Sequence, residues 1–169
     1  EISACLVGSE MCIRDSKNVH RVIEAVRGTR HRLVVVGTGP LEQELRSRAP
    51  ANVRMLHNLD DAQMRWCYAH CSAVVAVSHE DFGIAPLEGA AFGKPTIALR
   101  AGGFLDTVGS GETGAFVDSP TPAGIRRALD QFDPSRFDGE VLRQHAEEFG
   151  QARFEEQLRS ILRDLGEEV

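Results

Sequence analysis

One stretch of this sequence, VSHEDFGIAPLEGAAFG at positions 77–93, predicts both a fold and a candidate site. It overlaps the end of a short apolar run, 72–77, which is typical of a strand buried on both faces of a parallel sheet. Gly83 then allows the backbone to approach a ligand closely, and the proline that follows suits the first turn of a helix. The stretch therefore predicts a strand, a loop and a helix that begins at about Ile84 or Ala85.

The start of this helix is a candidate anion site. Backbone N–H groups without helical partners lie there, together with the positive end of the helix dipole. Glu80 precedes the helix and Glu88 lies one turn inside it, with seven residues between the two acids. Carboxylates bind sugar hydroxyls well, so acids on both sides of a phosphate site indicate a nucleotide sugar. The alternative is that Glu88 only stabilises the dipole and that Glu80 is a solvated loop charge.

Strand and helix patterns alternate along almost the whole chain. This alternation predicts an α/β fold, a Rossmann-like parallel sheet with helices on both faces. Ligands bind at the carboxyl ends of the strands in such sheets. Three loops with unusual residues follow predicted strands, at 37–40, 78–83 and 100–103, and we expect them to converge on one site. Pro40 is predicted to begin a helix that ends at about Ser47.

The four cysteines indicate buried thiols rather than a disulfide framework or a metal site. Cys67 and Cys71 share one face of a predicted helix that is capped by Asp60 or Asp61. Histidines occur nearby, but no paired CxxC or HxxxH spacing supports metal ligation. We expect Trp66 to pack with the two cysteines on the inner side of this helix.

Size and charge exclude several classes of protein. With 169 residues and 42% apolar content, the chain can bury one substantial core, and two full domains are not expected. The net charge of -6 argues against nucleic acid as a partner and against a membrane surface held by charge. No apolar run reaches transmembrane length, so we expect no segment to span a bilayer. Separately, we expect a cytoplasmic protein, with peripheral contact at the inner face of the membrane only in a full-length enzyme.

Residues 1–16 fit the rest of the sequence poorly. They lack the basic start and the long apolar centre of a signal peptide. They resemble the spurious leader CLVGSEMCIRDS that occurs at the ends of assembled sequence data. We expect 1–16 to be a non-native leader and 17–169 to be the functional domain, with 4–7 pairing at most as an edge strand.

The motifs in combination resemble a known family. The segment Glu80-Asp-Phe-Gly-Ile-Ala-Pro-Leu-Glu88 is similar to the E-x7-E signature of retaining, GT-B-fold glycosyltransferases of family four, the glycogen-synthase-like group. Further motifs follow in that family's order: KNV at 17–19, GTGP at 37–40, GKPTI at 93–97, AGG at 101–103 and GETG at 111–114. The resemblance implies the C-terminal, donor-binding half of such an enzyme, without the N-terminal acceptor domain. The runs DFGI and GGFLDTV are most similar to bacterial mannosyltransferase-type members.

The resemblance also implies a role for each matching residue. Glu88 would bind the donor ribose, Glu80 would contact hydroxyls of the transferred sugar, and Lys17 would neutralise the leaving diphosphate. Glu80 and Lys17 are thus the expected catalytic residues. The implied donor-binding residues are Gly37, Gly39, Pro40, Arg54, Met55, Glu80, Phe82, Gly83, Ile84 and Glu88, with the backbone of 54–55 beside the base and that of 82–84 beside the diphosphate.

The implied reaction needs neither a metal nor another cofactor, because a cation and a helix dipole stabilise the departing phosphate. The donor is expected to be GDP-mannose or, second, a UDP-hexose, and the acceptor a glycan or a lipid-linked glycan. Family members retain configuration by front-face attack, in which the leaving phosphate helps to deprotonate the acceptor, so no enzymic base is named.

Two positions depart from the family, and two other functions stay open. Cys12 stands where an arginine is expected, and His57 stands where glycine is common. Without the arginine, the site loses a positive charge that would bind phosphate. His57 is interpreted as a surface histidine or as a change in the base pocket. The chain could also be a GT-B-fold nucleotide-sugar epimerase or a non-catalytic nucleotide-binding module, although the E-x7-E motif and Lys17 favour a transferase.

Overall fold

A parallel β-sheet forms the centre of the molecule. The computed structural model describes residues 4–12 and 15–164, with side chains from position 16 onward. Six strands in these residues pair in the order β3-β2-β1-β4-β5-β6, and every neighbouring pair is parallel. The strands are β1 (Ala4–Cys12), β2 (Leu33–Thr38), β3 (Val53–Leu56), β4 (Val74–Ala76), β5 (Thr96–Leu99) and β6 (Gly114–Val117).

Helices connect the strands and cover the sheet. The α-helices are α1 (Val19–Val26), α2 (Glu42–Arg48), α3 (Asp61–His70), α4 (Ile84–Ala91), α5 (Phe104–Thr107), α6 (Pro122–Gln131), α7 (Gly139–Glu148) and α8 (Gln151–Asp164). Short 3-10 helices span Asp15–Lys17 and Pro134–Arg136. None of the helices within the described ranges is long and apolar enough to cross a membrane.

The predicted α/β class, with helices on both faces of the sheet, is confirmed. Strand β2 shows why, because its side chains alternate between two separate cores. Leu33 and Val35 join the core formed with α1 and α6, whereas Val34 and Val36 join the one formed with α3. All four side chains are buried, so both faces of the strand are covered.

Local sequence signals explain where several helices begin. Asp60, one of the two residues predicted to cap α3, forms a capping box at the start of that helix. The carboxylate of Asp60 accepts a hydrogen bond from the backbone N–H of Gln63, and the side-chain oxygen of Gln63 accepts one from the backbone N–H of Asp60. Thr121 caps α6 by accepting from the N–H of Gly124. These caps fix the helix starts beside the ends of the preceding strands.

Two predictions about strand and helix positions are wrong. The segment predicted as an edge strand at 4–7 belongs to β1, which lies in the middle of the sheet between β2 and β4. The chain adds β2 and β3 on one side of β1 and then β4, β5 and β6 on the other side, so β1 lies in the middle. Likewise, α2 begins at Glu42 rather than at Pro40, because the Glu42 N–H bonds to the carbonyl of Gly39 and closes a turn first.

Trp66 is also not where the sequence places it. Cys67 and Cys71 face the sheet and are buried, as predicted, but Trp66 is 53% exposed. It lies one residue before Cys67, so the helical rotation of about 100° per residue turns it toward the outer face. There its ring stacks on His70, four residues later, with the ring centroids 4.2 Å apart.

Candidate functional site

The segment that follows β1 meets the loop that follows β4 at the carboxyl edge of the sheet. The Nζ of Lys17 forms an ion pair with Oε1 of Glu80. Next to it, Nδ2 of Asn18 donates to the carbonyl oxygen of Val77 at 2.8 Å. Asn18 has a φ of 54°, which turns the chain into α1 directly after Lys17. The two predicted catalytic residues are therefore in contact, although 63 positions separate them in the sequence.

Glu80 is held through a single carboxylate oxygen. Besides Lys17, the hydroxyl of Ser78 donates to the same Oε1 at 2.6 Å. Ser78 is buried, and the side chains of Lys17 and Glu80 are only 24% and 26% exposed. Among the described residues, no side chain or backbone group donates to Oε2 of Glu80. This oxygen keeps its capacity to accept hydrogen bonds from hydroxyl groups.

Glu88 is held in the same manner by a different partner. The hydroxyl of Tyr68 donates to its Oε2 at 2.7 Å, and no hydrogen bond from the described part of the chain reaches Oε1. Tyr68 is itself buried, with its ring stacked on Phe92. Glu88 is the fifth residue of α4, and the first turn of that helix contains no acid. A dipole-stabilising role alone therefore does not account for its position.

The start of α4 is shaped by Gly83. This residue has a φ of 86°, and a Cβ placed on it would lie 2.5 Å from ring atoms of Phe104. Glycine thus permits both the turn and the close packing on α5. The flanking side chains of Phe82 and Ile84 are exposed, and Phe82 contacts the ring of Phe149 edge-on. The helix begins at Ile84, as predicted.

Two of the three predicted loops converge. The N–H of Gly103 donates to the carbonyl oxygen of Glu80 at 2.8 Å, and a side chain on Gly103 would collide with the backbone of Phe82. Loops 78–83 and 100–103 are therefore packed backbone to backbone. The third loop, 37–40, lies at the same edge of the sheet but follows β2, with β1 between it and β4.

The remaining predicted donor-binding residues lie in or next to β2 and β3. Gly37 ends the buried part of β2, and Gly39 and Pro40 form the turn before α2. Met55 is buried within β3, and its carbonyl oxygen accepts a hydrogen bond of 3.1 Å from Arg46. Arg54 is exposed on the same strand. A location beside a nucleotide base remains a prediction for both β3 residues.

Of the two positions that depart from the family pattern, the structure describes the side chain of His57 but not that of Cys12. His57 is an exposed residue at the end of β3, and its Nδ1 lies 2.7 Å from Oε1 of Glu42. The Arg46 guanidinium donates to the same oxygen at 2.9 Å. The hydrogen bond from Arg46, and next that from His57, lowers the pKa of Glu42. The side chain of Cys12 lies outside the described residues.

Sequence reasoning missed Tyr68 and Ser78. Tyr68 is the single tyrosine of the chain, and a buried tyrosine hydroxyl usually needs a hydrogen-bond partner. That signal could have identified it, but not its partner on another helix. Ser78 gave no signal beyond its place in the loop. No group of three or more histidine, cysteine or acidic side chains suited to a metal ion occurs in the described residues.

Known proteins resemble this chain in sequence. A family model described as glycosyl transferases group 1 matches residues 12–152. The D-rhamnosyltransferase WbpZ of Pseudomonas aeruginosa is 38% identical over 125 residues, which cover 69% of this chain and 33% of that protein. The O-antigen chain mannosyltransferase C of Escherichia coli is 38% identical over 93 residues, which cover 51% of this chain and 25% of that protein.

Solved structures resemble it in fold. The sucrose-phosphate synthase of Thermosynechococcus elongatus matches with a TM-score of 0.82 at 22% identity, covering 98% of this chain and 45% of its own. The Anabaena protein HepE, in complex with UDP-glucose, matches with a TM-score of 0.76 at 19% identity, covering 96% and 49%. The chain thus spans about half of these structures and a third or less of the two curated relatives. Since the family model covers most of its length, the chain belongs to the family of glycosyl transferases group 1.

Proposed function

We propose that this chain is the donor-binding half of a retaining glycosyltransferase. The enzyme would move a hexose from a nucleotide diphosphate sugar to a glycan or to a lipid-linked glycan. One observation carries the proposal: Glu80 precedes α4, Glu88 lies one turn inside it, and the described part of the chain donates to one oxygen of each carboxylate. Two anchored carboxylates beside a helix N-terminus suit a ligand that has hydroxyls at both ends and a diphosphate between them.

The geometry supports a division of roles within the site. The N–H groups at the start of α4, with the helix dipole, would bind the diphosphate. Glu88 would accept hydrogen bonds from the ribose and Glu80 from the hexose. When the bond between the anomeric carbon and the phosphate oxygen breaks, negative charge grows on the departing diphosphate. The ammonium of Lys17, already beside Glu80, would stabilise that charge without a metal ion.

The donor is proposed to be GDP-mannose first and a UDP-hexose second. The names of the relatives, a rhamnosyltransferase and a mannosyltransferase, support a hexose or deoxyhexose donor. The UDP-glucose complex of the structurally similar HepE supports the second choice. The acceptor would bind through the N-terminal domain that the family resemblance implies, in the cytoplasm or at the inner face of the membrane.

Calorimetric titration of the chain with GDP, UDP and ADP tests the proposal. We expect at least one of them to bind more tightly than about 1 mM, and Glu88→Ala to weaken that binding by about 1–3 kcal/mol, the range for losing a charged hydrogen-bond partner. Glu24→Ala is the matched control, because Glu24 is an exposed acid near the far end of α1. The proposal fails if no nucleotide binds or if both variants bind like the unaltered chain.

A further inference from the structure

A cavity that several arginines line lies at the opposite edge of the sheet from the donor loops. Its volume is about 740 Å³, and its lining includes Arg30, Arg32, Arg54, Trp66 and His70. We call this cavity the arginine groove. It is open to solvent between the amino-terminal ends of β2 and β3 and the last turn of α3.

The three arginines of the groove are exposed and have no carboxylate partner among the described residues. Most other arginines in the same ranges either form ion pairs or donate to backbone carbonyls. Six arginines in those ranges have neither kind of partner, and half of the six line this one groove. The cluster stands out in a chain whose net charge is -6.

An aromatic surface completes the groove. Trp66 is the single tryptophan of the chain, and it is more exposed than buried. Its ring stacks on that of His70 with an interplanar angle of 16°, and Nδ1 of His70 lies 2.8 Å from the Trp66 carbonyl oxygen. The stacked pair therefore presents a flat, pre-ordered surface beside three positive charges.

We propose that the arginine groove binds a phosphate-bearing ligand. The planar fork of a guanidinium matches the oxygens of a phosphate, and Arg forms such bonds in pairs. An anion between Arg30, Arg32 and Arg54 also offsets the repulsion of three like charges that line one cavity. An adjoining planar or apolar part of the ligand packs against Trp66. The ligand is a soluble phosphate ester or the phosphate headgroup of a lipid.

The groove is separate from the loops of the donor site proposed above, although the side chain of Arg54, whose backbone the family resemblance places beside the base, lines this groove. The donor loops follow the carboxyl ends of the strands, whereas Arg30 and Arg32 precede the first residue of β2. The groove therefore gives the molecule a second anion site that can be occupied together with the first. This inference goes beyond the proposed function and does not depend on it.

The fluorescence of Trp66 provides a direct assay, because no other tryptophan contributes. The probes are inorganic pyrophosphate, and vesicles of phosphatidylglycerol and phosphatidylcholine in equal parts with pure phosphatidylcholine vesicles as the reference. We expect pyrophosphate, the anionic vesicles or both to shift the emission and to bind less well at high salt. The double variant Arg30→Gln/Arg32→Gln should lower that affinity at least about tenfold, as for the loss of a charged hydrogen bond.

Two control variants distinguish binding in this groove from a general effect of charge and from binding in the donor site. Arg127→Gln/Arg159→Gln removes the same charge from α6 and α8 and should leave the response unchanged. Lys17→Gln, in the donor site, should also leave it unchanged. A response to pyrophosphate alone indicates a soluble ligand, and a response to anionic vesicles alone indicates a lipid headgroup. The proposal is overturned if neither probe acts, or if the control pair or Lys17→Gln weakens binding as much as the groove pair does.

Discussion

The hydroxyl of Tyr68 donates a hydrogen bond of 2.7 Å to Oε2 of Glu88, from one helix to another. Tyr68 is held in turn by burial and by its stack on Phe92, with ring centroids 5.5 Å apart. The carboxylate predicted to bind ribose is therefore positioned by a residue outside the loops of the site. The geometry of this carboxylate therefore depends on the contact between α3 and α4.

Replacing Tyr68 by phenylalanine tests this dependence. The ring and its stack remain, while Glu88 loses one neutral donor, so we expect nucleoside diphosphates to bind about 2- to 10-fold more weakly. Calorimetry measures the affinity, and urea denaturation should show that the free energy of unfolding changes by less than about 1.5 kcal/mol. A folded variant with unchanged affinity would show that Tyr68 does not position Glu88.

Replacing Gly83 by alanine should destabilise the chain more than the same change at Gly111. Both residues have a positive φ, of 86° and 83°, so each replacement strains the backbone by about 1–2 kcal/mol. Only at Gly83 would the new methyl group meet the Phe104 ring, because no atom lies within 4 Å at Gly111. We expect this overpacking to cost about 1–3 kcal/mol more. Urea denaturation measures the difference, and equal losses would contradict the packing of loop 78–83 on α5.

The ion pair between Lys17 and Glu80 should contribute little to folding. About a quarter of each side chain is exposed, so solvent still reaches the pair and screens part of the attraction. A double-mutant cycle with Lys17→Met and Glu80→Gln should give a coupling energy of about 1 kcal/mol or less, smaller at high salt. The measurement is urea denaturation of the four proteins. A coupling that salt does not change would indicate a pair shielded from solvent.

Glu42 should make stability depend on pH in the acid range. The hydrogen bonds from Arg46 and His57 lower the pKa of Glu42 in the folded chain. Its stabilisation is therefore complete above the pKa of this carboxyl in the unfolded chain, and is lost as the pH falls through the lower folded value. Urea midpoints of the unaltered chain and of Glu42→Gln should converge as the pH is lowered from neutral into the acid range. A gap of constant size would contradict this assignment.

Much of the fold could be predicted because its signals are local. The alternation of apolar strands and amphipathic helices predicts the parallel sheet, and a cap such as Asp60 marks where a helix starts. The position of Glu80 before α4 and Glu88 within it also follows from neighbours in the sequence. These features need no knowledge of which segments meet in space.

The rest depends on contacts between distant segments. The order of strands places β1 at the centre, and nothing within residues 4–7 distinguishes a central strand from an edge strand. Tyr68 and Glu88 meet only because α3 and α4 pack together. Trp66 differs from its predicted place for another reason, since the apolar pattern of α3 is weak and a large apolar ring is ordinarily expected to be buried.

The sheet has two halves, β3-β2-β1 and β4-β5-β6, which join where β1 pairs with β4. β1 pairs with β4 at a single described position, Cys5 with Val74, whereas β5 and β6 pair at four positions. Lys17 extends from the first half, and Glu80 and Glu88 extend from the second. A ligand that contacts all three side chains therefore ties the two halves together across the seam between β1 and β4. Slower amide hydrogen exchange on both sides of that seam would report such a ligand at residues that it never touches.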